Sequence, residues 1–204
     1  MKMKRTSTVV AILLFTAVPS AFAQVTGTPS FNSPYRSFTR MEFGGVLSFP
    51  QGNAVGDTGI EGVYRFGSGN FDVGLRLGGV FGGASEALVI GAEVRGRVLS
   101  SSADFPMDGA IVTGIGANFS SGMKTFNIPA GLSLGKVIDL RNSQVNITPY
   151  AQPTLIFSFG EGTSDLNFAF GLGVDIALSP AFDLRLSGGI GELEGISFGA
   201  VWTN

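Results

Sequence analysis

The stretch Phe71-Asp72-Val73-Gly74-Leu75-Arg76-Leu77-Gly78-Gly79-Val80-Phe81 sets bulky apolar residues on odd positions. Asp72, Gly74, Arg76 and Gly78 fall on the even ones. A period of two held over ~11 residues is the mark of a β-strand with two unlike faces. The same pattern runs upstream. Met41, Phe43, Leu47 and Phe49 alternate with Arg40, Glu42 and Ser48, and Ile60, Tyr64 and Phe66 alternate with Glu61 and Arg65. It also runs downstream, where Leu88, Ile90 and Val94 alternate with Glu93, Arg95 and Arg97. Six further segments, starting near Ile111, Phe126, Val145, Leu166, Phe182 and Ile196, repeat it. Ten strands are predicted, with eight as the alternative. Short Gly, Ser, Asn and Pro clusters between them, such as Gly67-Ser68-Gly69-Asn70 and Ser179-Pro180-Ala181, reverse the chain between antiparallel neighbours. The fold class is therefore all-β: a closed, antiparallel, up-and-down barrel, since closure removes the exposed edges of such a meander.

The first residues carry an export signal. Lys2, Lys4 and Arg5 precede a mostly apolar run from Val9 to Val18. Ala21 and Ala23 then supply the small −3 and −1 residues of a cleavage site before Gln24. Residues 1–23 are read as a signal peptide, residues 24–38 as a periplasmic lead-in without alternation, and residues 39–204 as the barrel. Removing 23 of 204 residues leaves 181, with ten basic and 15 acidic side chains and a net charge of −5. That acidity, without a basic stripe, offers no attraction for nucleic acid. Zero Cys excludes disulfides and thiolate chemistry.

Volume decides which face points outward. The apolar face holds most of the Phe, Leu and Ile, and these would overfill a ten-stranded interior; Gly, Ser and scattered charges fit it. Only 14% of the residues are charged, whereas a soluble domain usually carries about 25%. The apolar face is accordingly expected to meet lipid as a transmembrane barrel. Phe49, Phe66, Phe71, Phe81, Phe119, Phe126, Phe157, Phe159, Phe182 and Trp202 lie at or near strand ends, where aromatic girdles mark the two bilayer interfaces. Pro129, Pro149 and Pro153 fall inside strands; lacking an N–H for the ladder, they imply later strand starts, a bulge or a weak seam.

With its export signal, Gly-rich amphipathic strands and final strand Gly195-Ile196-Ser197-Phe198-Gly199-Ala200-Val201-Trp202, the chain resembles the small outer-membrane β-barrels of Gram-negative bacteria, a group that includes opacity-type proteins. The resemblance covers about residues 39–204. It implies a location in the cell outer membrane, with outer-membrane lipids and the barrel assembly machinery as partners. Members usually end on an aromatic residue, whereas here Thr203 and Asn204 follow Trp202.

The charges on the inward parity are the candidate functional set: Arg40, Glu42, Glu61, Arg65, Asp72, Arg76, Glu93, Arg95, Arg97, Asp108, Asp175, Asp183 and Arg185. Six positive against seven negative groups suit a salt-bridge network that fills the lumen, because buried charges persist mainly when paired. The leading expectation is a structural protein of the outer membrane with a largely filled lumen. A narrow porin-like channel for small solutes is the alternative, kept open by inward glycines such as Gly91, Gly116, Gly171 and Gly173. Surface binding or adhesion is a second alternative, disfavoured by short loops. The chain has no His, so the usual general base and commonest metal ligand are missing. No catalytic residues, metal or cofactor are expected.

Overall fold

The computed structural model describes residues 25–34, 40–52, 56–83, 86–141, 143–160 and 162–204. The alternating segments form β1 (Met41–Pro50), β2 (Thr58–Ser68), β3 (Phe71–Phe81), β4 (Ala87–Leu99), β5 (Asp108–Ser120), β6 (Met123–Gly135), β7 (Ile138–Asp139), β8 (Asn146–Gly160), β9 (Thr163–Ser179), β10 (Phe182–Gly191) and β11 (Gly195–Thr203). Each long strand pairs antiparallel with its chain neighbours, β1 pairs with β11, and β6 pairs with β8. The result is a closed barrel of ten strands. β7 is a two-residue addition to β8 that lengthens the β6–β8 connection, where the sequence shows only a turn at Arg141 to Ser143.

Burial is inverted relative to a water-soluble protein. Leu77, Leu166 and Ile190 are 57%, 67% and 65% exposed, while Glu61, Asp72 and Arg95 are at most 1% exposed. Large apolar side chains prefer an interior in water; this distribution suits a surface bathed in hydrocarbon around a polar lumen. The barrel strands run from nine residues (β11) to 17 (β9). A tilted strand needs about 9–11 residues to cross a bilayer core.

The prolines act where the ladder breaks. The β5–β6 pairing jumps from Thr113–Ala130 to Gly116–Asn127, beside Pro129. The β6–β8 pairing jumps from Gly131–Thr154 to Leu134–Ala151, beside Pro153. Thr113 Oγ1 donates to the Pro129 carbonyl at 2.9 Å, recovering one bond. Pro149 lies opposite Val174 of β9, and beyond the end of β6 its carbonyl accepts from the Lys136 amide. Of the alternatives that the prolines leave open in the sequence, the structure shows a weak seam, along both edges of β6.

All ten girdle aromatics point outward, in two groups. Phe66, Phe71, Phe182 and Trp202 ring the terminal rim, where β1 begins and β11 ends; the other six ring the far rim. Phe43 stacks on Trp202 at 5.9 Å and Phe126 on Phe159 at 5.4 Å. The far-rim connections are short, 51–57 being the longest, whereas 100–107 and 136–145 are the long connections of the terminal rim.

Residues 25–34 are the main departure from the sequence reading. The sequence predicts a lead-in ahead of the barrel; the structure places residues 25–34 inside it. Nine of the ten are buried, Val25, Thr26, Thr28 and Ser33 to 1% or less. The cleavage site at Ala23 and Gln24 lies outside the described residues.

Candidate functional site: the filled lumen

The inward parity places charges from six of seven adjacent strands, all but β11 of the run from β4 to β9, on one side of the lumen. On β2, β3 and β4 they form a continuous chain. Arg95 pairs with Asp72 at 2.8 Å, and Asp72 with Arg65. Arg65 pairs with Glu93, and Arg76 lies 3.6 Å from Glu93 and 3.9 Å from Glu61. A second group spans β1, β10 and β9, with Arg185 2.8 Å from Glu42 and 3.6 Å from Asp175. Asp183 is buried nearby on β10.

Three of the thirteen candidate charges lie apart from these groups. Arg40 is exposed at the terminal rim, donating to the Pro180 carbonyl at 2.9 Å. Arg97 is exposed beside a register shift near the end of β4. Asp108 opens β5 and accepts from the Ser101 amide at 3.0 Å. Parity fixes a residue's face but not its depth. Among the described residues the lumen set is thus four arginines against six carboxylates, an excess of two acids.

The N-terminal segment answers that excess with uncharged donors. Thr28 Oγ1 donates to Glu61 at 2.6 Å, Asn32 Nδ2 to Glu93 at 3.2 Å, and Ser33 Oγ to Asp175 at 2.6 Å. Its oxygens accept from the arginines. Ser30 Oγ accepts from Arg76 at 2.9 Å, Asn32 Oδ1 from Arg65 at 3.2 Å, and the Ser33 carbonyl from Arg95. Ser33 therefore ties the two charge groups together, through its hydroxyl to one and its carbonyl to the other. Buried charges bonded in this way avoid the desolvation penalty of unpaired ones.

Side chains of β6 and β8 opposite the charged wall, together with Ser187 of β10 and Ala169 of β9, grip the segment through apolar contact and backbone bonds. Phe31 is 3% exposed and clusters with Tyr150, Ile156, Ala169 and Leu193. Tyr150 Oη donates to the Phe31 carbonyl at 2.9 Å, the Phe31 amide donates to Ser187 Oγ, and the Asn32 amide to Gln152 Oε1. Ser133 Oγ donates to the Asn32 carbonyl at 2.6 Å. Tyr150 and Ile156 were not singled out in the sequence, although both lie on the inward parity of β8.

The inward glycines divide by what they make room for. A Cβ on Gly116 would meet the Val25 backbone, and one on Gly171 would meet the Phe31 ring. On Gly44, Gly78 or Gly114 it would meet the backbone of the adjacent strand, relieving crowding where the sheet curves. A void of about 20 Å³ remains between the segment and the charged wall, lined by residues including Ser30, Asn32, Arg65, Arg76 and Glu93; it is room for about one water.

Among solved structures, the chain is similar to the crystal structure of the beta domain of the Bordetella autotransporter Brka. The TM-score is 0.54 and the identity 15%, with 81% of this chain and 98% of that one covered. At this identity the similarity is one of fold, that of an outer-membrane-type β-barrel. It does not reach the narrower opacity-type group. No family model matches the chain, and no curated protein matches its sequence.

Proposed function

We propose that the protein is a sealed structural barrel of the cell outer membrane, closed by its own N-terminal segment. The observation that carries this reading is the seating of residues 25–34 in the lumen, bonded to side chains from both of its sides. The exposed apolar band suits a lipid surround, and the aromatic rims suit its two interfaces. Export by the signal of residues 1–23 and insertion by the barrel assembly machinery belong to the same reading. It assigns no catalytic activity and no cofactor.

The full-length folded protein, reconstituted in a planar lipid bilayer, tests it. The expected result is a silent membrane, because residues 25–34 occupy the lumen and the space between them and the charged wall is only about 20 Å³. Discrete, reproducible current steps from correctly folded protein would overturn the sealed reading in favour of a narrow channel.

A further inference from the structure

We propose that the lumen is a binding site for an uncharged, extended peptide, and that residues 25–34 are its resident ligand rather than an integral part of the wall. The segment Val25-Thr26-Gly27-Thr28-Pro29-Ser30-Phe31-Asn32-Ser33-Pro34 contains no charged side chain and no strand pairing to the barrel. What holds it is side chains of the wall. Ser187 donates to the Pro29 carbonyl and accepts from the Phe31 amide; Gln152, Ser133 and Tyr150 take the amide and carbonyls that follow. A backbone read through wall side chains is recognised by its shape and path, as a bound peptide is.

Three side chains give this site its sequence preference. Phe31 occupies an apolar niche that a smaller residue would leave partly empty. Asn32 is read at both ends of its amide, by Glu93 on its nitrogen and by Arg65 on its oxygen. A carboxylate there would face Glu93 and an ammonium would face Arg65, so the wall rejects either charge. Ser33 bridges Asp175 and Arg95. The preferred ligand is therefore Phe-Asn-Ser within small, neutral residues.

Covalent attachment explains why such a ligand stays put. Only residues 35–39 separate Pro34 from Arg40, and a short tether supplies an effective concentration on the order of millimolar. A free peptide competes poorly until the resident is weakened. The proposal shares the seated segment with the sealed-barrel reading but does not depend on the membrane being silent.

The test uses the full chain carrying Phe31→Ala and Asn32→Ala, folded in detergent micelles. It is titrated with a fluorescent synthetic peptide of residues 24–34 and followed by anisotropy. The native peptide is expected to bind this variant roughly tenfold or more tightly than it binds the unaltered protein. The same margin is expected over a scrambled peptide. Equal binding of native and scrambled peptides, or no binding to the folded variant, would overturn the proposal. Should the double variant not fold, Ser33→Ala in the full chain is titrated with the same peptides, and the same two outcomes decide. Current through the unaltered barrel would contradict sealing while leaving this titration to stand on its own.

Discussion

Replacing Arg76 by Leu is expected to lower stability by about 3–5 kcal/mol, the usual cost of breaking a buried ion pair by removing one partner. Arg76 is 5% exposed and serves Glu61, Glu93 and Ser30 together. Among the described residues the lumen holds six carboxylates and four arginines, so the loss of Arg76 leaves three cations facing six anions there. The neighbouring Leu75 is 47% exposed on the outer face. Leu75→Ala removes side-chain area that lipid covers and leaves no protein cavity, so its cost is expected to stay within about 1 kcal/mol, below the 2–5 kcal/mol of core truncations. Denaturant unfolding of the two variants in the same micelles checks the contrast. Equal losses at these adjacent positions would contradict the assignment of inside and outside.

Gly116→Val is expected to turn a silent barrel into a conducting one while leaving the wall folded. A side chain at this position meets the Val25 backbone in the lumen, and a backbone carbonyl cannot move aside by changing rotamer. Overpacking of this kind costs about 1–3 kcal/mol, which lowers the ratio of seated to unseated segment by roughly five- to 150-fold. Gly114→Val is the control. Its side chain would press on Ala92 and Glu93 of the adjacent strand, so destabilisation of the barrel is expected, not selective opening. Single-channel recording alongside an unfolding curve separates the two. A Gly116→Val barrel that folds normally and stays silent would show that the segment does not close the lumen.

The barrel was legible in the sequence because its strands have two unlike environments, and period two records that directly. The volume of the two faces settled which was outside, and Leu75 beside Arg76 shows how sharply. The charge network was legible by parity, except that Arg40, Arg97 and Asp108 carry the right parity at the wrong depth. Tyr150 and Ile156 sit between and beyond Pro149 and Pro153, where the prolines drew attention to the ladder and away from the inward face. The N-terminal segment was missed for a different reason. It is held by bonds from wall side chains to its backbone, an arrangement that imposes no repeat on its own residues. Its trace lay in the barrel instead. Gly91, Gly116 and Gly171 left more room than curvature requires, and the nearby Ser, Thr and Asn residues were uncharged groups suited to a charged wall.

The most direct measurement on the seated segment exploits the absence of native Cys. Ser30→Cys, at a position 5% exposed within the lumen, and Ser102→Cys, in an exposed loop of the terminal rim, are each placed in the full-length folded protein. Both are reacted with a bulky, water-soluble maleimide. Labelling at position 30 is expected to be slower by at least roughly a hundredfold, the factor set by ~2.7 kcal/mol or more for unseating the segment. Labelling of position 30 as fast as position 102 would mean that the segment lies outside the barrel and that the lumen is not closed by its own chain.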